Sequence, residues 1–243
     1  MLDAPIDPAS APTARSAADT GAMDPASAPG TAAAPLKPRL RGWLHFSAAP
    51  LSLVLGLILM VFTPTQELRW AVAIYVLSTV LLFGTSAAYH LGAGTPTVNA
   101  FLRRLDHANI YVFIAGCYTP FAAAMPNRTL GWTMFALVWI IALVGLLLPI
   151  LWMTAPRWLT AGSYVALGWV ALFFLPAIAS AYGLLVVGLL ALGGVLYTIG
   201  AVIYARKSPD LSPRWFGFHE LFHAFTIGAY LVQYVAIALV VLR

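Results

Sequence analysis

Seven long apolar runs occupy most of the chain after residue 43, and they constrain the fold more than any other feature. Each run has close to the ~20 residues that a helix needs to cross a hydrocarbon core ~30 Å thick. Backbone groups in lipid must be hydrogen-bonded within their own segment, so these runs predict helices. We place the runs at about 44–62, 69–90, 107–125, 131–152, 161–180, 183–205 and 218–242.

Composition supports the same interpretation. Of 243 residues, 61% are hydrophobic and only 9% are charged, whereas a soluble domain carries about 25% charged residues. We therefore predict an all-α polytopic membrane protein with seven transmembrane helices. The single cysteine, Cys117, lies in an apolar run and is interpreted as a small core residue.

The chain divides into two regions. Residues 1–36 consist mainly of Ala, Pro, Ser, Thr and Asp, and the sequence DPASAP occurs there twice. Such a segment cannot bury enough apolar surface to offset its conformational entropy. We predict a disordered cytoplasmic tail over residues 1–36 and a seven-transmembrane-helix domain over residues 37–243.

The basic residues predict the orientation. Nine of them fall on one side of the predicted membrane: Lys37, Arg39, Arg41, Arg103, Arg104, Arg157, Arg206, Lys207 and Arg214. Three fall on the other side: Arg69, Arg128 and Arg243. Cytoplasmic loops are enriched in Lys and Arg, so the N-terminus is predicted in the cytoplasm and the C-terminus outside. Short groups of basic residues between apolar runs do not indicate nucleic-acid binding.

Every histidine lies at the predicted cytoplasmic end of a helix: His45, His90, His107, His219 and His223. His219 and His223 are four residues apart and share one helix face, as do Ser86 and His90. Asp106 comes just before the third run. Ionisable groups in a membrane usually face the bundle interior. Three imidazoles and a carboxylate at one depth predict a zinc site, and three protein ligands plus water is the catalytic arrangement.

Other interpretations of these residues stay open. A single interfacial histidine is usually structural. His45 and His107 have no spacing partner, and we interpret them as interfacial residues or as residues that support the site without binding the metal. Asp106 could instead cap a helix N-terminus. Glu220 completes a His-Glu-x-x-His pattern, but no His, Asp or Glu follows it downstream of His223 to supply a zincin's third ligand. We interpret Glu220 as a helix N-terminal residue rather than a general base.

Four segments resemble the hemolysin III group of the progestin and adiponectin receptor family, in its order and spacing. They are 38-PRLRGWLH-45, 86-SAAYH-90, 105-LDHANIYVFIAGCYTPF-121 and 217-GFHELFH-223. The resemblance covers about residues 38–243. It implies a seven-helix protein with a Zn²⁺ ion near the cytoplasmic helix ends, held by His90, His219 and His223. It also implies that Asp106 holds a water on the zinc and that Ser86 supports the site by hydrogen bonding.

Three functions follow as hypotheses. The first is a zinc-dependent hydrolase of a lipid amide or ester, which takes its substrate from the bilayer into a bundle cavity. The resemblance implies that this activity is ceramidase-like and serves membrane lipid homeostasis. The second is a non-enzymatic membrane sensor with a structural zinc. The third, a pore-forming hemolysin, is disfavoured because the spans carry no strongly polar stripe. In each case we expect an integral protein of the bacterial inner (cytoplasmic) membrane, with lipids as partners and no nucleic acid.

Overall fold

The fold is an all-α helical bundle. A computed structural model of the chain describes residues 38–92, 94–212 and 214–243, and the predicted tail over residues 1–36 lies outside them. The helices in these ranges are α1 Trp43–Phe62, α2 Gln66–Leu91, α3 Pro96–Ala124, α4 Arg128–Gly145, α5 Leu147–Leu151, α6 Arg157–Gly168, α7 Leu175–Tyr182, α8 Leu184–Arg206 and α9 Phe218–Val241. A short 3₁₀ segment, Trp169–Phe173, joins α6 to α7.

Five of these helices are long and apolar enough to cross a membrane: α1, α2, α8, α9 and α4 together with α5. A sixth span is formed if the segment from α6 through α7, bent by 54°, is counted as one. The surface carries many exposed large apolar side chains, such as Val61 at 71% and Trp70 at 65%. The chain is therefore a polytopic membrane protein, while the count of seven spans and the orientation of the termini stay predictions.

Helix α3 differs from its predicted span. The third span was expected at 107–125, but α3 begins at Pro96, eleven residues earlier. Thr95 caps it by accepting a hydrogen bond from the Val98 N–H, and Pro96 occupies the first helical turn, where its missing donor costs nothing. The alternative that Asp106 caps a helix is therefore wrong, because Asp106 lies well inside α3.

Prolines explain where two other predicted spans break. The run 131–152 divides into α4 and α5 after Gly145. Pro149 has no N–H to donate to the Gly145 carbonyl, which is where an uninterrupted helix would place that bond. The run 161–180 divides at the 3₁₀ segment, and Pro176 stands in the first turn of α7.

The core lies around α3, which packs against α2, α4 and α9. Its largest fully buried side chains include Tyr75, Phe83, Tyr111, Met134 and Tyr230. More than half of α2 is buried, and α3 is covered by the helices that pack against it. Helices α4 and α8 face outward over most of their length. Polar side chains on the inner faces of α2, α3 and α9 can therefore be sheltered from lipid.

Candidate metal centre

Three histidines come together where α2 ends and α9 begins. The Nε2 atoms of His90 and His219 lie 3.0 Å apart. One ligand atom from each of His90, His219 and His223 fits within a mutual distance of 4.8 Å. His90 and His223 are buried, and His219 is partly buried. We call this trio, with the neighbouring His45, the histidine end of the bundle.

Helix geometry explains why two of the imidazoles face one point. His219 and His223 stand one turn apart on α9, so their side chains lie one above the other. Their ring centroids are 4.5 Å apart. His90, in the last turn of α2, approaches the same point with its ring centroid 4.7 Å from that of His219.

Asp106 and Ser86 stand beside the trio. Oδ2 of Asp106 lies 3.9 Å from Nε2 of His90, and the Asp106 side chain is only 13% exposed. Ser86 is buried one turn before His90 on α2, and its hydroxyl is hydrogen-bonded to the Asp106 carboxylate. The five residues predicted for the site, which are the histidine trio with Asp106 and Ser86, therefore lie close together. The carboxylate is adjacent to the imidazoles.

The structure places the other two histidines differently from each other. Nδ1 of His107 lies 2.9 Å from the Arg103 carbonyl, and its Nε2 lies 3.4 Å from the Tyr204 hydroxyl. His45 is buried at 3% exposure and stacks on His223, with ring centroids 3.7 Å apart and ring planes 13° apart. Neither ring nitrogen of His45 has a hydrogen-bond partner among the described residues. The sequence placed His45 at this depth, but its stacking on His223 depends on how α1 is rotated.

Glu220 is engaged at the start of α9 and does not join the trio. Its carboxylate accepts the Gly217 N–H at 2.8 Å, which satisfies a free donor of the first helical turn. It also pairs with the Arg41 guanidinium, although Glu220 is only 1% exposed. The interpretation of Glu220 as a helix N-terminal residue is confirmed. The pairing with Arg41 was missed, although a buried carboxylate requires such a partner.

The segment before α1 fixes this arrangement. The backbone N–H groups of Arg39 and Leu40 donate to the carbonyls of Arg214 and Trp215 at 3.0 and 3.2 Å. The Arg39 guanidinium lies over the Trp215 ring, 4.7 Å from its centroid. The chain entering α1 is therefore tied to the loop that leads into α9.

A cavity of about 150 Å³ opens from the histidine end into the bundle. The trio members His219 and His223 line it together with Asp106 and Ser86, and its walls deeper in the bundle are mostly apolar. Phe121, Met134 and Ile178 belong to that deeper part. The site therefore has a polar end with candidate metal ligands and an extension suited to hydrocarbon.

The fold and site define an integral membrane protein with a buried histidine cluster at one end of its bundle. A family model described as haemolysin-III related matches residues 34–234. The chain belongs to this family.

Two curated relatives agree. The Hemolysin-3 homolog of Bacillus subtilis (strain 168) is 29% identical over 187 residues, which covers 76% of this chain and 84% of that protein. Hemolysin-3 of Bacillus cereus is 29% identical over 177 residues, which covers 71% of this chain and 75% of that protein.

Proposed function

We propose that this protein is a zinc-dependent hydrolase of a lipid amide or ester bond, resident in the bacterial inner membrane and serving membrane lipid homeostasis. The observation that carries the proposal is the trio of histidines beside a carboxylate at the polar end of an apolar cavity. In this proposal the imidazoles hold the metal, the carboxylate accepts and donates protons, and the cavity accepts the hydrocarbon.

The trio fits zinc by spacing and by donor chemistry. At a Zn–N distance of about 2.0–2.1 Å, two ligands of a tetrahedral site stand about 3.3 Å apart. The separations within the trio, from 3.0 Å up to 4.8 Å, need only small side-chain movements to match. Nδ1 of His223 is buried without a hydrogen-bond partner among the described residues, which is costly for a polar atom.

A zinc ion held by this trio would supply Lewis acidity, polarising a carbonyl and making water available as a nucleophile at neutral pH. The chain's own residues supply the rest. Oδ2 of Asp106 lies 3.9 Å from Nε2 of His90, which is too long for a direct hydrogen bond, so the carboxylate stands beside the trio without pairing with this nitrogen. Asp106 would accept the proton of the attacking water and deliver it to the leaving amine or alcohol. Ser86, by donating to Asp106, orients the carboxylate.

The cavity would hold the acyl chain and exclude bulk water from the reacting carbonyl. An apolar cavity of comparable size in other proteins stays dry and takes hydrocarbon ligands. Excluding water strengthens the electrostatic interactions among Asp106, the imidazoles and the reacting group.

A structural role for zinc is the second candidate. The trio joins two helices far apart in sequence, α2 and α9, so a metal there would clamp the bundle. This favours a membrane sensor whose zinc stabilises the fold. An Asp106→Asn variant separates the two: it should retain zinc in both cases, but it should lose lipid hydrolysis only if the protein is an enzyme.

The first measurement is metal content of protein purified in detergent without added zinc. We expect about one zinc per chain in the wild type and its loss in His90→Ala and in the His219→Ala, His223→Ala double variant. His107→Gln is the matched control, since His107 bonds to Arg103 and Tyr204 instead of joining the trio, and it should keep its zinc. A folded wild type without stoichiometric metal would refute the proposal.

With zinc established, purified protein is incubated with a bacterial lipid extract, and released fatty acids are measured by mass spectrometry. Release by the wild type and not by Asp106→Asn supports the hydrolase. Full zinc with no release from any lipid class leaves the structural role.

A further inference from the structure

Two buried polar atoms of the residues that line the cavity lack a hydrogen-bond partner within the part of the chain that the structure describes. The Tyr197 hydroxyl and Oε1 of Gln233 are inaccessible to solvent and make no hydrogen bond to any described residue. Both residues line the same cavity as the histidine trio. Polar groups inside a membrane protein usually face the bundle interior and are hydrogen-bonded there. The Tyr197 hydroxyl and Oε1 of Gln233 therefore need a hydrogen-bond partner.

The two side chains reach towards one layer of the bundle. Side chains on a helix lean towards its N-terminus. Helices α8 and α9 pack side by side and are antiparallel, because α8 ends and α9 begins at the histidine end. Tyr197 therefore leans away from that end and Gln233 leans towards it. Tyr230 stands about one turn before Gln233 on α9.

This layer lies at a defined depth below the metal centre. Tyr230 and Gln233 follow His223 on the same helix by seven and ten residues. At a rise of about 1.5 Å per residue, the layer is about 10 to 15 Å along the axis from His223. The neighbouring hydroxyls of Thr226 and Thr198 do not donate to Tyr197 or Gln233, because they donate to the carbonyls of Phe222 and Gly194.

From this arrangement we propose that Tyr197 and Gln233 form a subsite for a hydroxyl group in the middle of a lipid's hydrocarbon chain. The inference rests on the proposed function, since it takes the acyl chain to lie in the cavity with its carbonyl at the histidine end. A chain hydroxyl donates to Oε1 of Gln233 and accepts from the Tyr197 O–H. A plain saturated chain can satisfy neither atom, so the subsite selects hydroxylated chains.

Chain geometry gives the position of that hydroxyl. Because an extended carbon chain is a zigzag, each bond of about 1.5 Å advances it by only about 1.3 Å, so eleven bonds span about 14 Å. Carbon 12 of a fatty acid whose carboxyl group lies at the trio therefore reaches the layer of Tyr197 and Gln233. Carbon 2 stays beside the trio.

The test is equilibrium binding of three fatty acids of equal chain length to the zinc-loaded full chain in detergent: stearate, 12-hydroxystearate and 2-hydroxystearate. We expect 12-hydroxystearate to bind about five- to tenfold more tightly than stearate, the gain that one or two net hydrogen bonds give. 2-Hydroxystearate should gain less. In Gln233→Leu and Tyr197→Phe the preference for 12-hydroxystearate should fall to about one, while stearate binding is retained.

Tyr234→Phe is the matched control. It removes a phenol from the same helix, but this phenol donates to the Leu55 carbonyl at 3.0 Å and leaves the cavity unchanged. Equal affinities of the wild type for stearate and 12-hydroxystearate would overturn the subsite. The Tyr197 hydroxyl and Oε1 of Gln233 would then be hydrogen-bonded to water, and the hydrolase proposal would stand. A preference that survives in both variants would overturn it too. No binding of any of the three acids would instead remove the acyl chain from the cavity, and the proposed lipid hydrolase with it.

Discussion

Two ion pairs, one at each end of the bundle, show how differently the two ends are built. At the histidine end, Glu220 is 1% exposed and pairs with Arg41, which is 20% exposed. At the opposite end, Glu67 and Arg128 pair at 2.6 Å with 53% and 59% of their side chains exposed. Both pairs join residues distant in sequence, but only the first is shielded from water.

The difference shows which end must hold a fixed geometry. Removing a carboxylate from water is costly unless its partners are in place, and Glu220 has both a guanidinium and a helix N-terminal N–H. These partners fix the start of α9, which carries His219 and His223. The exposed pair can exchange partners with water without moving any residue of the site.

Glu220→Gln should give the largest loss of stability. The amide still accepts the Gly217 N–H but no longer balances the charge of Arg41. Breaking a fully buried pair costs about 3–5 kcal/mol; because Arg41 can partly reach water, we expect about 2 kcal/mol. The measurement is the free energy of unfolding in mixed detergent micelles, with zinc content alongside.

Asp210→Asn is the control for that variant. Asp210 also accepts a backbone N–H at the start of α9, from Phe218 at 2.7 Å, but it is exposed. It should cost clearly less than Glu220→Gln. Equal losses would mean that burial of the Glu220 pair is not what matters at this end.

Gly42→Ala should have the next largest effect. Gly42 precedes α1 with φ of 89°, a left-handed conformation that an L-residue adopts at a cost of about 1–2 kcal/mol. A Cβ there would stand 2.8 Å from Cβ of His90 and 2.9 Å from Cγ of Leu91. We expect weaker zinc retention together with lower stability, because the end of α2 has to shift.

Gly84→Ala, on the same helix as His90, is the comparison for Gly42→Ala. A Cβ at Gly84 would meet nothing within 4 Å, so alanine should leave zinc binding unchanged and favour the helix by up to about 1 kcal/mol. A Gly42→Ala protein that keeps wild-type zinc affinity would show that α1 does not position His90.

The sequence predicted most of the helices because a lipid-facing helix must be apolar along its own length. This property can be recognised in a segment without knowing which helices pack against it. Helices α1, α2, α8 and α9 begin and end within three residues of the predicted runs. The start of α3 was missed because its first turns are polar, and only the Thr95–Pro96 capping signal marks them. The breaks in the fourth and fifth runs follow from prolines that the apolar pattern does not register.

The candidate site was likewise predictable in part. The pairs one helical turn apart, such as His219 with His223, can be read from spacing alone, and the shared depth brings His90 towards them. The stacking of His45 on His223 and the pairing of Arg41 with Glu220 depend on how distant helices are rotated against each other. Tyr197 and Gln233 were missed for this reason, since a single polar residue in a span does not show which neighbour it faces.

Glu67→Gln should have the smallest effect. Water already competes for both side chains of the exposed pair, and pairs of this kind contribute little to stability. The starts of both helices are satisfied without the pair, because Thr65 accepts the Leu68 N–H and Asn127 accepts the Leu130 N–H. We expect an unfolding free energy close to that of the wild type and unchanged zinc content, measured beside Glu220→Gln. A loss as large as that of Glu220→Gln would show that the opposite end is also held by its ion pair, and that burial does not separate the two ends.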